Sequence, residues 1–129
     1  MIVGIGVDIV EIARFEKLHK KYGDRFAGRI LTVDELTEYQ RRGRNCSYLA
    51  LRFAAKEAVA KACGTGIGGE LGFQGMQIDN DALGKPVLRF LDAASSLVER
   101  LQIRNALISL SDEKHYAVAM VVLESWQTV

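Results

Sequence analysis

The sequence predicts an α+β protein in which antiparallel strands and hairpins pack on one long central helix. Three observations lead there. The chain opens on an alternating apolar stretch, residues 48–64 keep one long helical period, and the last third holds two apolar runs joined by a short polar turn. At 129 residues and 49% apolar content, the chain reads as one domain over 1–129, large enough for a real core and too short for two.

The elements follow in order. In residues 1–11, Val3, Ile5, Val7 and Ile9 make one β-branched face of a strand, and Gly4, Gly6 and Asp8 occupy the other. Glycines inside a strand mark a close approach of backbone or ligand, so Asp8 stands where something reaches it; the plain alternative is an aspartate solvating an edge. Over residues 11–22, Ile12, Phe15, Leu18 and Tyr22 trace an amphipathic helix. Its other positions are Arg14, Lys17, Lys20 and Lys21, with Arg25 following. Such a run is either a solvated face or a surface that steers in an acidic partner. Residues 25–31 suit a further helical turn. Thr32 and Glu35 form a capping-box signature that opens a helix ending near Arg42, before Gly43, and Asn45 or Ser47 caps the central helix.

On that central helix Tyr48, Leu51, Ala55, Ala58, Val59 and Ala62 make one buried stripe, half of it alanine, which lets a partner come close. On the opposite side Glu57 and Lys61 are neighbours one turn apart, flanked by Ala50, Ala54 and Ala60. A surface ion pair is the plain reading of the two. The helix nevertheless runs into Gly64-Thr65-Gly66-Ile67-Gly68-Gly69, whose backbone amides can approach an anion closely. A carboxylate, an ammonium and bare backbone together suggest a metal and a phosphate.

Residues 73–79 and 87–91 read as strands joined by a turn rich in special-geometry residues, ending Gly84-Lys85-Pro86. Asp92 is placed to cap a helix through Leu101, with Leu97, Val98 and Leu101 inward. Residues 106–111 and 116–123 form a hairpin around Asp112-Glu113-Lys114-His115. Its second arm, YAVAMVVL, is apolar on both faces, which calls for cover on both sides, some of it from another subunit.

Composition removes several function classes. A net charge of +1 gives no general case for nucleic acid, and no apolar run approaches the roughly 18 residues of a membrane span. The first residues, MIVGIGVDIVEI, lack the basic start and cleavage site of a signal peptide, so a cytoplasmic protein is expected. Cys46 and Cys63 lack zinc-ligand spacing and read as reduced structural thiols.

Three segments carry a resemblance: GVDIVEIAR at the start, RFAAKEAVAKACGTG in the middle, and the GKP turn followed by ISLSDEKHYAVA. Together they resemble the holo-(acyl-carrier-protein) synthase family of 4′-phosphopantetheinyl transferases, over nearly the whole chain and in the same order. The pairing of G-x-D-x-x-x-x-x-R with F-x-x-K-E-A-x-x-K-A is far more specific than any short motif alone. The resemblance implies the 4′-phosphopantetheinyl transferase fold and transfer of 4′-phosphopantetheine from coenzyme A to a serine of apo-acyl carrier protein. It also implies Mg²⁺, release of adenosine 3′,5′-bisphosphate, and a place in lipid metabolism, where fatty acid and polyketide carriers both fit. Asp8 and Glu57 match the family's metal positions, and Mg²⁺ commonly takes one or two carboxylates beside waters and phosphates. Lys61 would stabilise the departing phosphate. Gly64, Thr65 and Gly66 match the loop after the family's helix, and Gly84, Lys85 and Pro86 a turn near the nucleotide end. Arg52 and Lys56 are candidates for the 3′-phosphate, or else solvated helix cations. For the general base, a carboxylate already on Mg²⁺ is a poor choice, and water is favoured over Glu57. Arg14, Lys17, Lys21 and Arg25 would dock the acidic carrier. Many members of the family have histidine where this chain has Asp112, so that contact does not carry over, and His115 need not replace it.

Related transferases of about twice this length look like two such units fused, with the cofactor between them. That and the apolar second arm predict a homotrimer with each site shared between subunits. Two other readings suit the same residues: a Mg²⁺-dependent pyrophosphohydrolase of a nucleotide, and a module that binds an acidic protein without chemistry.

Overall fold

The computed structural model describes residues 1–126. Strand β1 (Ile2–Glu11) leads into helices α1 (Ile12–Tyr22), α2 (Asp24–Ile30), α3 (Val33–Arg41) and the long α4 (Cys46–Cys63). A hairpin of β2 (Met76–Asn80) and β3 (Pro86–Phe90) follows, then α5 (Ser95–Leu101) and the strands β4 (Ile103–Asp112) and β5 (Tyr116–Ser125). The larger sheet is antiparallel in the order β1-β5-β4, and β2-β3 forms a second, two-stranded sheet. The α+β expectation holds.

Local chemistry explains the boundaries. The Thr32 hydroxyl accepts from the Glu35 amide at 3.2 Å while the Glu35 carboxylate accepts from the Thr32 amide at 2.9 Å, a complete capping box on α3. The Asn45 side chain caps α4 by accepting from the Ser47 and Tyr48 amides, and Gly64, left-handed at φ 76°, ends it. Asp92 departs from expectation. It opens a short 3-10 turn, Asp92–Ala94, and makes no side-chain cap, because α5 starts one turn later at Ser95.

Helix α4 crosses the inner face of the larger sheet, where Ala117, Ala119, Val121 and Leu123 of β5 are fully buried. The approach is very close. A Cβ at Gly4 would lie 1.9 Å from the Ala62 carbonyl oxygen, and one at Gly6 1.9 Å from that of Ala58, so only glycine lets strand and helix meet there. The sparse face of β1 is therefore filled by helix backbone.

The helix is also more deeply embedded than a single stripe predicts. Ala50, Ala54 and Ala60, placed by periodicity beside the exposed charges, are fully buried, and Leu51 of the expected stripe is only half-buried. Alanines fit against β1 and β5 on one side and the short helices on the other, leaving Phe53, Glu57 and Lys61 as the partly open side. The sheet's outer face is different. Ile5, Val7, Ile9 and Met120 are all more than half exposed there, with Leu107 and Tyr116 alongside. The apolar second arm thus has α4 against one side and no cover on the other within a single chain.

Candidate active site

Three side chains converge where β1 meets α4. Alternation along β1 puts Asp8 on the same face as Gly4 and Gly6, so the contact that seats the helix also brings Asp8 beside its last two turns. The Lys61 ammonium donates to Asp8 Oδ1 and to the Val7 carbonyl, both at 3.0 Å. Glu57, one turn before Lys61, makes no ion pair with it: the neighbour relation on the helix is overridden by the strand, which offers the lysine two acceptors. Asp8 Oδ2 is buried and has no hydrogen-bond partner. Glu57 is pushed above the ordinary glutamate range, first by burial and then by the Asp8 charge, with Lys61 and Arg14 opposing.

Two carboxylates that raise each other's energy, one with an unsatisfied oxygen, make a donor set that fits a hard divalent cation. Asp8 and Glu57 are the residues that would hold it, with remaining positions left to water and phosphate. The Asp8 charge acts on Glu57, so the two carboxylates named from the sequence lie in one neighbourhood.

Arg14 reaches the same place from α1. Its guanidinium lies 5.8 Å from the Phe53 ring centroid and 5.9 Å from that of Phe15, stacked over the residue one turn before Glu57. The basic face accordingly starts at the carboxylates and continues along exposed Lys17, Lys21 and Arg25. Beside it lies a cavity of about 460 Å³ lined by Leu18, Tyr22, Arg25, Phe26 and Arg29. Charge counting missed this apolar floor and Arg29, although Leu18 and Tyr22 stand in the helical period.

Other candidates are placed differently. Lys56 is fully buried, and its ammonium donates to the Ile30 carbonyl at 2.7 Å, Glu35 Oε1 at 2.6 Å and the Phe73 carbonyl at 2.9 Å. All three of its donors are used, so none remains for a 3′-phosphate. Its assignment as a cofactor contact is corrected: it holds α2, α3 and the Phe73 turn onto α4. Burial lowers its pKa, with the Glu35 charge acting the other way.

Arg52 faces a cavity instead. It is nearly buried, stacks 4.4 Å from the Tyr48 ring centroid and donates to Asn80 Oδ1 at 2.7 Å, while its Nε has no partner. Asn80 in turn donates to the Gly84 carbonyl at 2.9 Å, tying Arg52 to the turn. Asp81 fixes that turn by accepting from the Leu83 and Lys85 amides. Arg52, Asn80, Gly84, Pro86 and Asp112 then line one cavity of about 300 Å³, which includes neither Asp8, Glu57 nor Lys61. Lys85 is exposed at its rim. Asn80 was missed, its role being visible only once the turn folds back on α4.

The glycine loop also differs from an open anion cradle. The Gly64 amide donates to the Lys61 carbonyl, and the Thr65 and Gly66 amides to the Ala60 carbonyl, so these three donors close the end of α4. A helix C-terminus is moreover the negative end of its dipole. The Thr65 hydroxyl, which donates to the Gly66 carbonyl at 2.8 Å, is the exposed polar group left there.

Comparison with known proteins adds identity to this geometry. The profile of the 4′-phosphopantetheinyl transferase superfamily matches residues 4–121. A Shewanella frigidimarina protein named holo-[acyl-carrier-protein] synthase is 56% identical over 124 residues, covering 96% of this chain and 98% of its own. The crystal structure of the Neisseria meningitidis synthase superposes with a TM-score of 0.91 at 50% identity, over 97% of this chain and 100% of that one. The Helicobacter pylori synthase, solved in complex with coenzyme A, gives a TM-score of 0.83 at 32% identity, over 93% and 99%. The chain is a transferase that belongs to the holo-[acyl-carrier-protein] synthase family of the 4′-phosphopantetheinyl transferase superfamily.

Proposed function

We propose that this protein transfers 4′-phosphopantetheine from coenzyme A to a serine hydroxyl of apo-acyl carrier protein, with Mg²⁺ at Asp8 and Glu57. The observation that carries the site is the meeting of Asp8, Glu57 and Lys61 on a strand and helix locked by Gly4 and Gly6. A divalent cation there supplies charge neutralisation of the pyrophosphate and Lewis-acid polarisation of its oxygens. Asp8 and Glu57, carried on a strand and a helix in close contact, would hold that cation in a fixed place. The serine oxygen forms its bond to the phosphorus that bears pantetheine, and the bond from that phosphorus to the adenylate phosphate breaks. Lys61 neutralises the departing phosphate, which leaves as adenosine 3′,5′-bisphosphate. The serine proton passes to water.

Arg52, Gly84, Lys85 and Pro86 bind the nucleotide end of coenzyme A, and the Thr65 hydroxyl with the Gly64 and Gly66 backbone borders the chain's path from it. Arg14, Lys17, Lys21 and Arg25 dock the carrier, with the apolar cavity at Leu18 and Phe26 beneath. The separation of the Arg52 cavity from the carboxylates favours a site completed by a neighbouring subunit, and the uncovered sheet face at Ile5, Val7 and Met120 favours a homotrimer. We place the enzyme in the cytoplasm, in lipid metabolism; no helix among the described residues is long and apolar enough to cross a membrane.

Mass spectrometry of apo-carrier incubated with enzyme, coenzyme A and Mg²⁺ tests this. A gain of one phosphopantetheine on the carrier is expected. Free phosphopantetheine with unmodified carrier means hydrolysis, and no reaction with retained carrier binding means a docking module; either overturns the proposal. Light scattering that finds a fully active monomer refutes the shared site.

A further inference from the structure

The carrier-docking surface is built in two pieces. Lys17, Leu18 and Lys21 stand on α1, and Arg25, Phe26 and Arg29 on α2. Only Gly23 lies between the helices, at φ 63°, and it caps both of them. The row of cations and the cavity of about 460 Å³ beside it therefore depend on the angle across that one residue. Phe15, buried with its ring centroid 5.1 Å from that of Phe53, seats α1 on α4. The buried anchors of α2, Ala27 and Ile30, lie from its middle onward, away from the joint.

The end of α2 at the joint is held through Asp24. Arg44 donates to its carboxylate twice, Nε to Oδ1 and Nη2 to Oδ2, each at 3.0 Å, and the Gln40 side chain donates to Oδ2 at 2.9 Å. His19 of α1 places Nε2 3.5 Å from Oδ1. One carboxylate thus gathers α1, α3 and the turn before α4 around the first residue of α2. Arg44 is aimed by a backbone at φ 57°, which residues with side chains rarely adopt, and its amide donates to the Tyr39 carbonyl at 2.9 Å. The Arg44 hydrogen bonds, and after them the one from Gln40, hold the Asp24 carboxyl well below the usual carboxylate range, so it stays charged. The side chains of Asp24 and Arg44 are 32% and 47% exposed, and so open a pair adds little to stability. What its two-point geometry does fix is direction.

We propose that Asp24, held by Arg44, is a positioning residue for carrier recognition: the pair sets the angle between α1 and α2 across Gly23, and with it the fit of the docking face to the carrier. The inference rests on the assignment of that face to the acidic carrier. It differs in sign from simple electrostatics. Removing a negative charge from beside a basic surface should tighten its hold on an acidic partner, whereas loosening the joint should weaken it.

Steady-state kinetics of the full chain, with apo-carrier varied at saturating coenzyme A and then the converse, test this. Asp24→Asn should raise KM for the carrier about three- to tenfold and leave kcat and KM for coenzyme A unchanged. A KM for the carrier that falls shows a charge effect, one that stays level shows a role in the fold alone, and an equal rise in both KM values shows a general disturbance; each overturns the proposal. Adding Arg44→Gln to Asp24→Asn restores the net charge of the unmodified protein. In that double variant KM for the carrier should stay raised as in the single one, and its return to the unmodified value overturns the proposal. The double variant also serves if the single one does not fold, since it leaves no unpaired guanidinium. Lys17→Glu with Lys21→Glu separates the two claims. If it leaves KM for the carrier unchanged, the docking assignment fails and the positioning role falls with it; if it raises that KM while Asp24→Asn does not, only the positioning role fails.

Discussion

Lys56 and Lys61 lie on the same helix, in the same short motif, and do opposite things. Lys56 has no exposed surface and spends all three donors on a carboxylate and two carbonyls. Its partner Glu35 has both carboxylate oxygens partnered, accepting also from the Thr32 and Ile78 amides. Lys61 stands half in solvent on an aspartate whose second oxygen has no partner. The first pair is complete and closed, which is what a structural node requires when charge is buried. The second is incomplete and open, and an unfinished coordination set can accept something from outside. What separates a scaffold lysine from a chemical one here is the state of its partner more than the residue type.

The largest effect should come from opening the closed node. Glu35→Ala leaves the Lys56 ammonium buried beside two carbonyls and also removes the α3 capping box; it should cost about 3–5 kcal/mol in urea unfolding. Adding Lys56→Met to a Glu35→Leu background should cost less than the two single changes summed, because the uncompensated charge disappears. A strictly additive result would mean that the pair does not act as a unit.

At the open site the expected loss is in rate. Asp8→Ala and Glu57→Ala should each lower kcat about 10²- to 10³-fold with an almost unchanged urea midpoint. A substantially active double variant contradicts the metal assignment.

The docking face should give a smaller and more selective effect. Lys17→Glu with Lys21→Glu should raise KM for the carrier about tenfold, flatten its salt dependence and leave KM for coenzyme A alone. Arg14 is a less clean probe, since its guanidinium also acts on Glu57. Equal changes in both KM values would remove the docking role.

The smallest expected effect is on pH-dependent stability. The fold raises the Glu57 pKa, so the protonated acid is the form the fold favours: that contribution is complete at acid pH and is lost as pH rises through the folded value. In metal-free protein Glu57→Gln should thus raise Tm by about 1–2 °C near neutrality and give no gain at acid pH, read by calorimetry at the two conditions. A gain of equal size at both would show that charge is not the cause.

Much of the scaffold was legible because its signals are local. The Thr32–Glu35 capping box, Asn45 before α4, Gly64 after it and the alternation in β1 all involve residues within a few positions of one another. Asp8 and Glu57 were legible as a pair only through resemblance, since no spacing rule joins a strand residue to one far along a later helix. The burial of Lys56 was illegible for a similar reason: its acceptors at Ile30, Glu35 and Phe73 lie 17 to 26 positions away. Alanine misled as well. A helix of small residues fits against neighbours on several sides, so a single periodic stripe understates what is buried. The commitment of the Gly64, Thr65 and Gly66 amides was illegible because it is set by the last carbonyls of α4, which need donors of their own.

The most direct test sets Lys56→Met beside Lys61→Met and measures, for each, the urea midpoint and kcat with saturating coenzyme A, carrier and Mg²⁺. Lys56→Met should lose about 3–5 kcal/mol of stability and, where it remains folded, keep kcat within a few-fold. Lys61→Met should change stability by less than about 1 kcal/mol and lose about 10²-fold or more in kcat. If the two variants lose rate alike, or if Lys61→Met proves the less stable of the pair, the division of α4 into a closed structural side and an open chemical one is wrong.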